Sequence, residues 1–229
     1  MSRDNTSHSY GSVTKAFHWL TAVLVLTIIP VGLVANGMAQ DIRDPSIVST
    51  TADFTRTFYL FSLHKTLGVT IFFVALARIL WAMTQPRPGL LNAHNRGEAF
   101  VARTVHWLLY GSLLLVPLTG WIDHAATTGF APIRWPFGQS LPFVPKDAEV
   151  AATFAGLHKV FGRVLAIALF LHVAGAVKHH FVDQDATLAR MLPGTAPAPT
   201  PPKQASGVLP LLGALTVWAG AIAIAILNA

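Results

Sequence analysis

The chain has 229 residues, of which 53% are hydrophobic and only 11% are charged. A water-soluble domain normally carries about twice that share of charge, so the composition indicates a membrane protein surrounded by lipid. The formal net charge of +6 predicts no nucleic-acid partner, because basic residues gather at the ends of membrane helices for topological reasons. Cysteine is absent, which excludes disulfides, iron–sulfur clusters, thiolate metal sites and covalent haem attachment.

Five apolar stretches are long enough to cross a bilayer as helices, which takes about 20 residues each. They span approximately residues 15–35, 63–83, 103–121, 157–178 and 209–227. The first stretch has flanking residues like those of a secretory signal, but its apolar core is longer, so we expect a retained membrane anchor.

The distribution of basic residues predicts the orientation of the chain. The amino-terminal tail with Arg3 and Lys15, the second connection and the segment after the fourth stretch are the basic regions, and they would face the cytoplasm. The other two connections, residues 36–62 and 122–156, each hold two basic residues against three acidic ones. We expect them to be long outer loops, the second forming an ordered cap rich in proline and aromatic residues.

A proline-rich linker, residues 194–208, separates the fifth stretch from the other four. Such a segment cannot continue a helix and tends to run extended. The sequence therefore predicts a four-helix domain over residues 1–193 and an accessory transmembrane helix over residues 209–229, used for packing or docking.

Four histidines are predicted to form two pairs. His158 and His172 are fourteen residues apart in the fourth stretch, so they share one helix face and stand about 21 Å apart along its axis. In the predicted orientation, His18 of the first stretch lies level with His172, and His64 of the second lies level with His158. The pairs would be His18 with His172 and His64 with His158.

A pair of histidines on facing helices, without cysteine, is what coordination of a haem iron by two imidazoles requires. Two haems b, one above the other, would form an electron path across the bilayer. A bare zinc or iron site fits poorly, because the histidines of one helix are too far apart for one ion and the apolar stretches hold no carboxylate. The alternative is that these histidines only make interhelical hydrogen bonds or reach to the interface.

Residues near these histidines are expected to contact the cofactors. The repeated motifs HKTLG and HKVFG place Gly68 and Gly162 one turn after a histidine, where a missing side chain lets a flat macrocycle approach. Lys65 and Lys159 would pair with haem propionates at the outer surface. Arg78, near the cytoplasmic end of the second stretch, is either a propionate partner or a topological charge.

His179 and His180 lie at the cytoplasmic end of the fourth stretch. As cations they would complement the helix dipole. Alternatively, they exchange protons with a quinone, because quinone reduction consumes protons and imidazole titrates near neutrality.

Together these residues resemble the bacterial cytochrome b561 family, within the wider group that includes the cytochrome b subunits of nickel–iron hydrogenases and formate dehydrogenases. The matching sequences, over about residues 10–193, are KAFHWL, LHKTLG, HWLLYGSLLLVPLTGW, LHKVFG, LHVAGAVKHHF and DATLARMLP. The resemblance implies an all-α integral membrane protein with a four-helix transmembrane haem bundle, to which this chain adds a fifth, carboxy-terminal transmembrane helix. The positions that match the four haem-ligating histidines of the family are His18, His64, His158 and His172.

The resemblance also implies the electron partners. Members of the family exchange electrons with ubiquinone, and one branch resembles a superoxide oxidase that feeds the quinone pool. We therefore expect a dihaem b-type cytochrome of the bacterial inner membrane that relays electrons between a periplasmic-side donor, such as superoxide, and ubiquinone. The alternative is a membrane anchor without its own substrate, which conducts electrons for a dehydrogenase or a small periplasmic cytochrome docked at the outer loops or the fifth helix.

Overall fold

A computed structural model of the chain describes residues 2–127, 129–194, 199–204 and 207–227. Within these residues the fold is all-helical, without a strand. The α-helices are α1 (Ser12–Arg43), α2 (Thr51–Met83), α3 (Arg96–Ala126), α4 (Ala148–Phe181) and α5 (Val208–Leu227), and a short 3-10 helix spans Ala189–Met191. All five α-helices are long and apolar enough to cross a membrane.

The first four helices extend well beyond the apolar stretches that predicted them. α1 has 32 residues and is about 48 Å long, against a hydrocarbon core of about 30 Å. α2 begins with a capping box in which the Thr50 hydroxyl accepts from the Asp53 amide and the Asp53 carboxylate accepts from the Thr50 amide. The prediction of a long first outer loop is therefore wrong, because only residues 44–50 connect α1 to α2.

Close packing joins consecutive helices of the bundle, α1 with α2, α2 with α3 and α3 with α4. Within the described residues, α4 is not packed comparably closely against α1 or α2. Their backbones leave room there for side chains to meet across the bundle. This arrangement decides where a flat cofactor can fit.

α5 packs against one side of the bundle, in contact with both α3 and α4. Thr104 of α3 donates a hydrogen bond to the Pro210 carbonyl near the start of α5, at 3.3 Å. Further along, Trp218 packs edge-on against Phe161 of α4, with ring centroids 5.2 Å apart. α5 is thus an integral layer of the fold, parallel to α3.

The segment between α3 and α4 folds into a cap over one end of the bundle, called the cap end below. Lys65 of α2 holds it in place: its amine donates to the Ala131 carbonyl at 3.0 Å, to the Phe130 carbonyl and to His124 Nδ1 at 3.1 Å. His124 then donates from Nε2 to the Gln139 side chain. The expected ordered cap is present, tied down by a lysine rather than by aromatic packing alone.

The opposite end, called the amino-terminal end below, collects residues 2–11, 84–95 and 182–194. Lys15 is buried there and donates to the carbonyls of Leu192 and Gly194, at 2.9 and 3.0 Å. Trp19 donates to the Met191 carbonyl at 2.8 Å. These bonds fold the segment after α4 back against the start of α1.

Candidate functional site

His64 of α2 and His158 of α4 face each other towards the cap end, with ring centroids 6.1 Å apart. Each ring is fixed by a backbone carbonyl of a further helix. His64 Nδ1 lies 3.3 Å from the Ile28 oxygen of α1, and His158 Nδ1 lies 2.8 Å from the Val116 oxygen of α3. A carbonyl can only accept, so Nδ1 carries the proton and Nε2 is the free acceptor, as in most metal-ligating histidines.

A glycine on each supporting helix makes this contact possible. A Cβ at Gly32 of α1 would lie 2.6 Å from His64 Cε1. A Cβ at Gly120 of α3 would lie 2.8 Å from His158 Nδ1. Each glycine lies four residues after the accepting carbonyl, on the same face of its helix. Any larger residue would push the imidazole away from its carbonyl, so α1 and α3 hold the two histidines by the same device.

His18 of α1 and His172 of α4 form the second pair, towards the amino-terminal end. Their ring centroids are 6.0 Å apart. His106 of α3 adds a third imidazole, with its centroid 5.2 Å from that of His172. Arg78 Nη2 lies 3.5 Å from His18 Nδ1, at the limit of a hydrogen bond, and its guanidinium lies 5.5 Å from the Tyr110 ring.

Both pairs fit coordination of one iron by two imidazoles. A metal–imidazole bond of about 2 Å on each side, plus about 1 Å from each nitrogen to its ring centre, puts the two centroids about 6 Å apart. The observed separations of 6.0 and 6.1 Å match this value. Nitrogen ligands without carboxylate suit haem iron. Each pair joins α4 to α1 or α2, and α4 is not closely packed against either of these helices.

The residues predicted to contact haem propionates lie in different surroundings. The Lys65 amine is engaged by three acceptors of the cap, so it would have to leave them to reach a propionate. Lys159 lines a groove between α4 and α5 together with Arg163 and Ala225. Arg78 lies beside His18. The propionate contacts of these residues stay predictions.

The two predicted glycines are less close to the histidines than Gly32 and Gly120. A Cβ at Gly68 would meet only the Ile28 side chain, at 3.8 Å, and a Cβ at Gly162 would have no described atom within 4 Å. Their approach to a macrocycle stays a prediction.

His179 and His180 differ in their environment. His179 Nδ1 lies 2.8 Å from Asp185 and 3.2 Å from Asp183, whereas His180 is exposed and its ring packs against Phe181. Burial raises the pKa of Asp185, but hydrogen bonds from Thr187 and His179 outweigh burial and hold that pKa below its ordinary value. Asp185 is therefore a carboxylate acceptor for His179 at neutral pH.

Sequence reasoning missed Gly32, Gly120 and Arg190, a buried arginine of the 3-10 helix. A signal for the glycines exists in the sequences IIPVG, residues 28–32, and VPLTG, residues 116–120. Each begins at the accepting carbonyl, contains a helix-weakening proline and ends at the glycine. Arg190 had no such signal, because a basic residue after a membrane helix is normally topological.

Comparison with known proteins identifies the family. The family model described as prokaryotic cytochrome b561 matches residues 9–194, which contain α1 to α4 and exclude α5. Cytochrome b561 homolog 2 of Escherichia coli (strain K12) is 31% identical over 195 residues, which cover 84% of this chain and 95% of that protein. Probable superoxide oxidase CybB of Yersinia pestis is 24% identical over 185 residues, which cover 80% of this chain and 96% of that protein.

The family model covers the helices that carry both histidine pairs. Family membership implies b-type haem, and the five apolar helices make the chain a multi-pass bacterial membrane protein. The chain therefore belongs to the prokaryotic cytochrome b561 family, whose members transfer electrons at the membrane through b-type haem.

Proposed function

We propose that the chain binds two haems b and passes electrons from superoxide at its cap end to ubiquinone at its amino-terminal end. The observation that carries the proposal is the presence of two histidine pairs at two depths, with one member of each pair on α4. His158 and His172 are about 21 Å apart along the axis of α4, a distance that spans most of a hydrocarbon core.

The protein's part is to hold and orient the cofactors. Haem iron, when bound, supplies reversible one-electron chemistry. His64 and His158 would hold the iron nearer the cap through Nε2, because their Nδ1 protons are committed to backbone carbonyls. His18 and His172 would hold the second iron. The carbonyl bonds fix the ring orientations of His64 and His158 and would raise the basicity of their ligating nitrogens.

The electron balance defines the reaction. Superoxide loses one electron and leaves as dioxygen, whereas ubiquinone gains two electrons and two protons to become ubiquinol. Two superoxide ions are therefore oxidised for each quinone reduced. Superoxide as donor is supported by one relative, which is named probable superoxide oxidase CybB.

The cap end carries cations that would attract an anionic donor. Arg134 is exposed on the cap, with its Nε 3.2 Å from the Ser62 hydroxyl, and Lys159 is exposed on α4. Fixed positive charge at a surface raises the local concentration of anions and their rate of arrival. Lys65 contributes less directly, because its amine is bonded to the cap.

The amino-terminal end offers a route for the protons that quinone reduction consumes. His179 is hydrogen-bonded to Asp185, and the neighbouring His180 is exposed. An imidazole can accept a proton at one nitrogen and release one at the other, so this pair would take up protons from water and pass them on. The Asp183 carboxylate is bonded to Lys178 at 2.8 Å and lies 3.2 Å from the His179 imidazole.

Replacing single histidines tests the ligand pairs. His18→Ala or His172→Ala is expected to lose the haem towards the amino-terminal end, and His64→Ala or His158→Ala the haem towards the cap. Haem quantitation on each purified variant should therefore give one haem per chain instead of two. His94→Ala, at an exposed position, is the matched control and should keep both. Two haems per chain in any of the four ligand variants would contradict the pairs.

Gly32→Ala tests how the histidines are held. The added Cβ is expected to displace the His64 imidazole from the Ile28 carbonyl and so weaken the haem nearer the cap, with less haem retained during purification. Gly37→Ala, about one and a half turns further along α1, adds the same atom where no described atom lies within 4 Å and should retain both haems. Equal haem retention in the two variants would show that close contact at Gly32 is not required.

Superoxide-driven reduction tests the donor. The purified oxidised chain is mixed with a superoxide-generating system and a short-chain ubiquinone, and the haem absorbance is followed. Rapid haem reduction that superoxide dismutase abolishes, followed by quinol formation, is expected. Haems that dithionite reduces but superoxide does not would refute superoxide as donor and favour a protein donor instead.

A further inference from the structure

The amino-terminal end contains a buried arginine whose hydrogen-bonding capacity is only partly used. Arg190, in the 3-10 helix, is 4% exposed. Its Nη1 donates to the Gly89 carbonyl at 3.0 Å. Its Nε and Nη2 are buried and have no hydrogen-bond partner among the described residues, none of whose carboxylates forms an ion pair with it.

The buried guanidinium of Arg190 requires an anionic partner. Guanidinium cannot lose its proton in a protein, so burial leaves a full charge. A buried charge without a counter-charge is strongly destabilising, and each unsatisfied N–H adds to the cost. The Gly89 carbonyl satisfies one donor and supplies no charge. The contacts of Arg190 within the described residues therefore do not compensate its buried charge.

The unpartnered atoms define the shape of the missing acceptor. Nε and Nη2 lie on the same edge of the guanidinium and point their N–H groups in parallel, which is the edge that binds a carboxylate through both of its oxygens. A neutral quinone carbonyl offers a single acceptor oxygen and no charge. The free edge of Arg190 is thus matched to a carboxylate.

The surroundings connect Arg190 to the pair formed by His18 and His172. The Arg190 guanidinium lies 5.5 Å from the Tyr10 ring. Trp19, the neighbour of His18 in α1, donates to the carbonyl of Met191, the neighbour of Arg190, at 2.8 Å, which places the 3-10 helix beside the His18 end of the bundle. Arg78 in turn lies 3.5 Å from His18 Nδ1.

We propose that Arg190, with Arg78, forms a carboxylate-binding site that takes the propionates of the haem held by His18 and His172. This inference rests on the proposed function, because it needs a haem at that pair. Haem b carries two propionates, and two arginines at one end of the histidine pair would neutralise them. Arg190 is a cofactor-binding residue that connects the 3-10 helix to the haem and ties the segment after α4 to cofactor loading.

The test is a redox titration of the purified full chain with its haems. Arg190→Gln removes the positive charge and is expected to shift the potential of one haem in the negative direction, because positive charge nearby favours the reduced iron. The potential of the other haem should stay unchanged. Arg87→Gln removes an exposed arginine two residues from Gly89 and is the matched control, with both potentials unchanged.

Arg190→Lys keeps the charge but not the paired donors. It is expected to keep a potential close to that of the wild type while changing the propionate vibrations in the resonance Raman spectrum. If Arg190→Gln does not fold, this variant carries the test. Unchanged propionate vibrations in Arg190→Lys, or unchanged potentials in a folded Arg190→Gln, would overturn the assignment.

Two further outcomes separate this inference from the proposed function. A wild-type chain that binds fewer than two haems would refute the dihaem proposal before any Arg190 variant is considered. An Arg190→Gln protein with two haems at unaltered potentials but slower quinone reduction would place Arg190 at the quinone and refute propionate binding, while leaving the dihaem proposal standing.

Discussion

The rest of the structure depends on one constraint, the placement of four imidazoles inside an apolar bundle. Each imidazole must be hydrogen-bonded or coordinated. An unpartnered polar ring at membrane depth is costly, so every histidine requires a defined neighbour. α4 supplies one imidazole at each of two levels, which obliges α1 and α2 to present theirs to the same helix. The bundle then separates α4 from those two helices, while α3 closes the other side.

The hydrogen bonds of His64 and His158 show how α1 and α3 contribute beyond packing. Each helix offers a backbone carbonyl and, four residues later, a glycine that leaves room for the ring. In the proposed haem site, fixing Nδ1 in this way would leave Nε2 for iron and orient the ring before the cofactor binds. In metal sites of this kind, the groups hydrogen-bonded to the ligating histidines set their orientation and basicity.

Much of the fold was predictable from the sequence, since five apolar stretches of membrane length stand out in a chain with few charges. The grouping of histidines by depth was also predictable, because helix geometry converts sequence spacing into distance along α4. The ends of α1 and α2 were not, because polar caps such as Thr50 with Asp53 lie outside the apolar stretches. The sequence IIPVG marks Gly32, but its contact with His64 could not be predicted, because the two residues are distant along the chain, and the same holds for the burial of Arg190. The bonds of the Lys65 amine to the cap could not be predicted either, because their acceptors lie about 60 residues further along the chain.

The family match ends before α5, but α5 packs on both α3 and α4. In this chain the fifth helix is therefore a packed part of the fold and not a loosely attached extension. The central proposal is that α1, α2 and α4 enclose two haems b. Determination of the haem-to-protein ratio in the purified wild-type chain, by pyridine haemochrome absorbance against quantitative amino-acid analysis, tests this claim most directly. The account predicts two haems b per chain; a ratio of one, or a colourless protein, would contradict it.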